Sequence, residues 1–461
     1  LGKVWIGIGL GLGTALNWII VAKRLRRFSR AANDSITLPQ YLTNRFASSS
    51  PVLKIVCAVI FMISFTVYVS SSFVAGKNVM CAVIPGLQGK EMLAMGIFAV
   101  IILIYTFLGG FRAVCWTDFF QGILMLVALL AVPIIMATGN FDASFAGTFA
   151  EGVTPFGTNP FNADWREIVT GLSWGLGYFG MPHIHVRYMA IKNAEEIKIS
   201  RRVATTWVVV ALACACLIGL IGRAWVETNN LVLENPENIL ILIVNTLWSS
   251  SIPIFAGLIF AGIMAAVMST ADSQLLVASS SVSNDIYKHF KGDSISDEKL
   301  VWISRAIVII VAIIAALIAL DPASSIMSLV SFAWAGFGAA FGPLMILSLF
   351  WKRTNKYGAI AGIITGFLVT VLWNTFLGSC IIGGMFDITG LTLDTPVTGV
   401  YELLPGFIIA FIVIIFALNG LKVVPQSETK VIERLGKFHG VLPAGLNIIW
   451  PIIDRPKAIA V

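Results

Sequence analysis

Two hydroxyl side chains and a carboxylate lie close together in the middle of a long apolar run, Ile252–Val282. They are Ser269, Thr270 and Asp272, and small residues surround them. Hydroxyl and carbonyl oxygens suit a hard cation such as Na⁺, and an ionisable residue in an apolar helix commonly marks an ion pathway. The pattern predicts a cation site. The alternative is that each hydroxyl donates to a carbonyl one turn earlier in its own helix.

A second group of side chains could hold a small organic solute. Trp174, Tyr178 and Pro182 follow one another at intervals of four residues, so they would share one face of a continuous helix. Aromatic faces and a tyrosine hydroxyl beside unwound backbone would fit a small, partly apolar zwitterion. Tyr68 adds a polar face in another apolar run, among several serines. The alternative is an aromatic stripe that only packs helices together.

Other residues point away from enzyme chemistry. Asp118 stands at the expected start of a helix, where it could either cap the helix or take part in transport. His183 and His185 lack a third plausible ligand, so we expect no metal site other than one for sodium. No nucleophile and base form a catalytic set, and no cofactor motif is present. We therefore expect a protein that is not an enzyme and has no cofactor.

The composition requires a membrane. Of the 461 residues, 57% are hydrophobic and only 12% are charged, which excludes a soluble globular domain and a disordered chain. A bilayer-spanning helix needs about 20 apolar residues. We find eleven apolar runs and expect about 11 transmembrane helices in an all-α integral membrane protein. The runs are Val4–Ala22, Leu53–Ala75, Met92–Phe107, Phe119–Ala137, Ile168–Phe179, Thr205–Ile221, Ile252–Val282, Val301–Leu320, Ile326–Trp351, Gly358–Leu377 and Leu403–Asn419.

Charges in the loops predict an orientation. Basic loops around Lys23, Arg187 and Lys352 alternate with acidic or nearly neutral loops, such as those around Asp142 and Asp387. Excess Lys and Arg normally lies on the cytoplasmic side. We expect a multi-pass protein of the cell inner (cytoplasmic) membrane, with the first residue outside and the C-terminus cytoplasmic.

One run contains helix breakers. Gly175, Gly177, Gly180 and Pro182 fall within eight residues of each other in and after Ile168–Phe179. A broken helix at membrane depth is tolerated where it lines a cavity or is buried in protein, and secondary transporters build binding sites on such segments. We expect a break here that faces a binding site, with a kinked packing helix as the alternative.

Five stretches of sequence resemble the sodium:solute symporter family, and within it the sodium/proline symporters most closely. The resemblance covers about residues 1–408. The stretches are TLPQY from Thr37, YTFLGGFRAVCWTDFFQ from Tyr105, WGLGYFGMPH from Trp174, AAVMST from Ala265 and SFAWAGFGAAFGP from Ser331.

The resemblance implies a fold and a set of roles. The fold would be the leucine-transporter-like inverted-repeat helix bundle. Sodium would be bound by the carbonyl of Ala266 with Ser269 and Thr270, and L-proline would lie near Tyr68, Trp174, Tyr178 and Pro182. Asp118 matches an acidic position linked to sodium coupling. Asp272 stands where the family pattern can be neutral, so its role stays open. Asp118 and Asp272 are the two coupling candidates.

The chain departs from the family pattern in two places. The family has thirteen helices, and the first two are missing here, so we expect a truncated chain that cannot assemble the whole sodium site alone. From about Phe411 the sequence instead resembles the opening of a stomatin/prohibitin-type domain. We expect a symporter transmembrane domain over 1–420 and a partial stomatin-like segment over 421–461, joined by a gene-assembly artefact or a natural fusion.

The expected function is sodium-coupled import of L-proline across the cytoplasmic membrane by alternating access. The partners would be L-proline, sodium ion and the lipid bilayer, without nucleic acid. Two alternatives stay open at this point. One is a sodium symporter of another small organic solute, and the other is a membrane scaffold or sensor with a stomatin-like tail.

Overall fold

The structure, a computed structural model, describes residues 3–138, 161–377 and 399–460, apart from residues 49, 162, 234, 292–295, 322–323, 420, 425, 427, 435 and 450–453. The loops around Asp142 and Asp387 lie outside the described residues. The main helices are α1 (Val4–Ala31), α2 (Leu38–Arg45), α3 (Val52–Val83), α4 (Glu91–Gly109), α5 (Phe111–Thr138), α6 (Trp165–Ser173), α7 (Pro182–Ala190), α8 (Ile197–Thr228), α9 (Ile239–Leu247), α10 (Pro253–Tyr287), α11 (Asp297–Ala319), α12 (Ile326–Phe350), α13 (Lys356–Leu372) and α14 (Leu403–Asn419).

The described residues hold eight helices that are long and apolar enough to cross a bilayer, together with three shorter apolar helices. Every apolar run predicted from the sequence except Ile168–Phe179 coincides with one helix. The short helix α9 lies in a segment where no run was predicted. The prediction of an all-α, multi-span membrane protein is confirmed for the body of the chain.

The run Ile168–Phe179 is broken, as its glycines and proline predicted. Helix α6 ends at Ser173, a 3₁₀ helix follows over Trp174–Gly180, and Met181 is extended before α7 begins at Pro182. Trp174, Tyr178 and Pro182 therefore do not share the face of one continuous helix. The 3₁₀ turn has about three residues per turn, so it places these side chains differently around the axis.

Small residues let α1 pack directly on this broken segment. A Cβ on Gly13 would lie 2.4 Å from the Cα of Gly175, and a Cβ on Gly9 would lie 2.2 Å from the carbonyl oxygen of Gly171. Backbones that approach so closely leave no room for side chains, so only glycine fits at these positions. The contact fixes the broken segment against α1.

The capping role considered for Asp118 is wrong. Gly110 has a φ of 73°, a conformation that suits glycine, and it ends α4. Helix α5 then begins at Phe111, so Asp118 lies two turns inside the helix rather than at its first residue. Its side chain is available for contacts with other helices.

The chain after α14 forms strands, which adds β structure to the predicted all-α architecture. Strands β1 (Leu421–Val424) and β4 (Gly445–Ile448) pair antiparallel, and β2 (Glu428–Arg434) pairs antiparallel with both neighbours in a second sheet. Those neighbours are β3 (Lys437–Leu442) and β5 (Asp454–Ala460). An ion pair of 2.7 Å joins Arg434 Nε to Asp454 Oδ1 across β2 and β5.

Candidate functional site

The three residues expected to bind sodium lie on one turn of α10. The hydroxyl of Ser269 donates to the carbonyl oxygen of Ala266 at 3.1 Å, and the hydroxyl of Thr270 donates to the same oxygen at 2.9 Å. All three side chains are half-buried. Hydrogen bonds of this kind, from a hydroxyl to a carbonyl one turn earlier, are what the alternative to a cation site predicts. They also bring three oxygen atoms to one point, and each hydroxyl oxygen keeps lone pairs for a cation.

Asp118 takes part in a contact between three helices. Arg187 of α7 forms a short ion pair with the Oδ2 atom of Asp118, and it also donates to the hydroxyl of Ser273 on α10 at 2.8 Å. Ser273 in turn donates to the same carboxylate oxygen at 3.2 Å. The Asp118 side chain is 17% exposed, so this ion pair is partly shielded from water. Arg187, which we grouped with the basic loop, instead belongs to a helix and has a carboxylate partner.

Asp272 lies next to this contact and is fully buried. Neither of its carboxylate oxygens has a hydrogen-bond partner among the described residues. Asp118 and Arg187 are the charged groups that act on it electrostatically. A buried carboxylate without partners is costly unless it binds a proton or a cation at some stage. Asp272 is therefore placed where it can respond to an ion.

Aromatic rings surround the broken segment. The ring of Trp174 stacks on that of Tyr401 with centroids 4.9 Å apart, and on that of Trp334 at 6.4 Å. The indole nitrogen of Trp334 donates to the carbonyl oxygen of Trp174 at 2.8 Å. A Cβ on Gly177 would lie 1.9 Å from that nitrogen, so this close approach requires glycine. The ring stack thus supports a backbone that cannot continue as an α-helix.

Tyr178 completes one side of this aromatic group. Its ring meets the Trp334 ring edge to face at 5.0 Å. Asn17 of α1 donates from one amide nitrogen to the carbonyl of Tyr178 at 3.0 Å and to the hydroxyl of Tyr188 at 2.9 Å. The side chain of Asn17 is completely buried. These bonds satisfy backbone that the 3₁₀ turn leaves without α-helical partners.

The two remaining solute residues border the same region. Tyr68 of α3 is partly buried and packs against the core cluster that contains Trp174 and Trp334. It also packs against the neighbouring cluster, which includes Val267 of α10. Pro182 is buried as the first residue of α7. Tyr68 therefore lies between the aromatic group and the cluster that includes α10, and Pro182 lies at the start of the helix that carries Arg187.

Helix α7 connects the solute residues to the charged ones. It begins at Pro182, and five residues later Arg187 contacts Asp118 and Ser273. Ser273 lies one turn after Ser269 on α10. A displacement of α7 would therefore change both the end of the broken segment and the contacts beside the candidate cation residues.

Sequence reasoning missed four residues that build this site. Trp334 lies in the stretch from Ser331 that carries the family resemblance, so its motif was a usable signal. Ser273 directly follows Asp272, and Arg187 lies five residues after Pro182, so both are close in sequence to residues that we had singled out. Tyr401 lies 227 residues beyond Trp174, and nothing in the sequence links the two. Among the described residues there is no group of three or more His, Cys, Asp or Glu that could bind another metal.

Comparison with known proteins identifies the family of the chain. The profile of the "Sodium:solute symporter family" matches residues 1–366. The osmoregulated proline transporter OpuE of Bacillus subtilis is 40% identical over 415 residues, which cover 89% of this chain and 80% of the relative. The high-affinity proline transporter PutP of the same organism is 40% identical over 420 residues, covering 90% and 83%. The sodium/proline symporter of Salmonella typhimurium is 36% identical over 459 residues, covering 97% and 85%.

Two solved structures share the fold. A Na⁺-coupled sialic acid symporter in a substrate-bound, outward-open state superimposes with a TM-score of 0.65 at 20% identity, covering 90% of this chain and 83% of that one. MhsT in complex with L-phenylalanine gives a TM-score of 0.53 at 13% identity, covering 90% and 97%. The fold is thus the leucine-transporter-like helix bundle. With a family profile matched over most of its length and relatives at 40% identity, this chain belongs to the sodium:solute symporter family and is a sodium-coupled solute transporter, not an enzyme.

Proposed function

We propose that the protein imports L-proline together with Na⁺ across the cytoplasmic membrane. The observation that carries the proposal is the aromatic group around the broken segment, which α7 links to the polar residues of α5 and α10. The names of the relatives at 40% identity support proline as the solute. The positive-inside pattern supports a cytoplasmic C-terminus.

The chemistry of the site suits a small cyclic zwitterion. Tyr178 and Tyr68, which are both only partly buried, offer aromatic surface to an apolar pyrrolidine ring, and an aromatic face also attracts a secondary ammonium group. The indole nitrogen of Trp174 is buried and has no hydrogen-bond partner in the described part of the chain. Such a donor can bind a carboxylate, with help from the amino-terminal end of α7, which begins at Pro182.

We propose that α7 couples the sodium residues to the solute residues, because it begins at Pro182 and its Arg187 contacts Ser273, one turn after Ser269. In this proposal Na⁺ binds the carbonyl of Ala266 and the hydroxyls of Ser269 and Thr270, and Asp118 and Asp272 respond to its charge. Both ligands stabilise the same conformation, so each raises the affinity for the other. The membrane potential contributes about 2.3 kcal/mol per charge per 100 mV toward inward movement of Na⁺.

The test is uptake of radiolabelled proline by cells or proteoliposomes that contain the full-length protein and no other proline transporter. We expect uptake that needs a sodium gradient and that excess unlabelled proline abolishes. An excess of sialic acid or L-phenylalanine, the solutes named for the two solved relatives, should compete at least about tenfold more weakly, which corresponds to 1.4 kcal/mol. Sodium-driven uptake of another solute without proline uptake would contradict the proposal and leave the symporter assignment intact.

A further inference from the structure

Basic and aromatic side chains lie near the first turns of two packed helices, outside the site described above. Arg112, Trp116 and Phe119 belong to the first two turns and a half of α5, and Arg201 and Arg202 belong to the first two turns of α8. We call these five residues the basic-aromatic surface. Trp116 and Phe119 are each 58% exposed, which is unusual for large apolar side chains unless lipid or another molecule covers them.

The packing of α5 against α8 places Trp116, Arg201 and Arg202 at a similar level along the two helices. The indole nitrogen of Trp207 on α8 donates to the carbonyl oxygen of Gly122 on α5 at 3.2 Å. Arg201 and Arg202 precede Trp207 by six and five residues, while Trp116 precedes Gly122 by six. Because both helices start at this end and run side by side, the arginines of α8 lie level with Trp116.

The arginines of this surface have no internal partner. Arg112, Arg201 and Arg202 form no side-chain hydrogen bond or ion pair within the residues that the structure covers. Carboxylates near the same helix starts have partners of their own, since Asp118 pairs with Arg187, Glu195 pairs with Lys23, and Glu196 accepts a hydrogen bond from Asn193. Three cations without a partner in the described part of the chain, near the first turns of two packed helices, favour an external anion.

A shallow cavity lies within the surface. It has a volume of about 340 Å³ and is lined by Arg112, Cys115, Trp116 and Phe119. One cation and two aromatic rings therefore face the same space. Tryptophan and arginine near the end of a transmembrane helix lie at the level of lipid headgroups, where the ring meets the acyl chains and the cation meets the phosphate.

We propose that the basic-aromatic surface binds an anionic phospholipid. The arginines of α5 and α8 hold the headgroup, and Trp116 and Phe119 contact the upper part of an acyl chain. A free phosphate ion would use only the arginines and would leave the aromatic side chains without a role. The lipid would bridge the first turns of α5 and α8, and α5 carries Asp118. The proposal is independent of which solute is transported.

The experiment measures lipid binding to the purified full-length protein by native mass spectrometry. Phosphatidylglycerol and phosphatidylcholine of the same chain length are titrated separately, with and without inorganic phosphate. We expect phosphatidylglycerol to bind at least about tenfold more tightly, since each basic group near a membrane surface contributes roughly a factor of five to anionic lipid binding. Equal binding of the two lipids by the unmodified protein would overturn the proposal, and this comparison needs no variant to fold.

Two variants locate the binding on the surface. Removing its charges with Arg112→Gln, Arg201→Gln and Arg202→Gln together should abolish the preference for phosphatidylglycerol. The matched control, Lys352→Gln, Arg353→Gln and Lys356→Gln, removes three charges from the loop before α13 and from the first residue of that helix, and should leave the preference within about twofold. An equal loss in both variants, or complete displacement of phosphatidylglycerol by inorganic phosphate, would show that no lipid site exists at this surface.

Discussion

Arg187 binds Asp118 and Ser273 with one guanidinium nitrogen, so a single side chain joins α7 to α5 and to α10. The contact is half-shielded, with 43% of the Arg187 side chain and 17% of the Asp118 side chain exposed. It lies one helical turn from Ser269 and five residues from Pro182. The contact therefore joins the helix that begins at Pro182 to the helix that carries Ser269 and Thr270.

Neutralising Asp118 should separate a coupling role from a purely structural one. We expect Asp118→Asn to raise the Na⁺ concentration for half-maximal uptake by about tenfold or more, because Arg187 then has an unpaired charge next to the cation residues. Sodium titration of uptake, normalised to the amount of protein in the membrane, measures this. Asp164→Asn, at an exposed helix start outside the site, serves as the control and should leave the value unchanged.

A double variant extends this test. If the ion pair acts as a unit, Asp118→Asn combined with Arg187→Gln should be better folded than either single variant, since no uncompensated charge remains. Its sodium dependence should nevertheless stay impaired. A double variant with normal sodium dependence would limit the pair to a structural role.

The hydroxyls of Ser269 and Thr270 are the direct test of the sodium proposal. Replacing both with alanine removes two oxygen ligands and only two intrahelical hydrogen bonds, so the fold should persist while sodium stimulation of uptake disappears. Ser280→Ala is the matched control, because its hydroxyl also donates to a carbonyl of its own helix, that of Val277. Unchanged sodium stimulation in the double variant would refute the assignment and favour simple helix back-bonding.

The sequence was sufficient for the spans and for the broken helix. Apolar length predicts the membrane helices because each must satisfy its own backbone in lipid. The glycines and the proline around Trp174, Tyr178 and Pro182 predicted the break, and the solute role of these three residues stays a prediction. The predicted geometry was less accurate. We expected residues four apart to share one face because we assumed a continuous α-helix, but a 3₁₀ helix spans Trp174–Gly180.

Contacts between distant residues were beyond the sequence. Asp118 and Arg187 are 69 residues apart. From the sequence we assigned Arg187 to a basic loop, whereas in the structure it belongs to helix α7 and contacts Asp118. The stacking of Tyr401 on Trp174 depends on how α14 approaches α6, which no local pattern encodes. The β strands after Asn419 were also unexpected in an all-α prediction, because hydropathy reports membrane spans and says little about a short polar segment.

Trp334 should matter to solute binding through its hydrogen bond. Trp334→Phe keeps a ring but removes the donor to the Trp174 carbonyl, which leaves a buried acceptor unpaired at a cost of roughly 1–3 kcal/mol. We expect the KM for the solute to rise about tenfold or more, while the sodium dependence changes little. Trp302→Phe, at a side chain that is 61% exposed on α11, is the control. Equal kinetics for both variants would exclude Trp334 from the site.

Glu237 should hold the segment before α9 against α12. Its two carboxylate oxygens accept hydrogen bonds from the backbone nitrogens of Ile326 and Met327, at 3.0 and 2.8 Å, where a carboxylate also complements the helix dipole. Glu237→Ala should lower the free energy of unfolding by about 1–3 kcal/mol, measured as a lower melting temperature. The control Glu227→Ala breaks an ion pair with Arg223 within α8, and it should lower the melting temperature far less. Equal changes in melting temperature for the two variants would show that the hydrogen bonds of Glu237 to α12 do not stabilise the protein.

The strands after α14 should be accessory to transport. We proposed from the sequence that residues 1–420 form the transport domain, and every residue of the candidate site lies within α1 to α14 or the segments between them. Deleting residues 421–461 from the full-length protein should therefore leave sodium-driven uptake within about twofold of the original, because no hydrogen bond or ion pair among the described residues joins the two small sheets to the candidate site. Asp454→Asn provides a milder change, since it weakens the ion pair with Arg434 and leaves the chain intact. If the deletion abolishes uptake while the protein still reaches the membrane, the tail takes part in transport and the division at residue 420 is wrong.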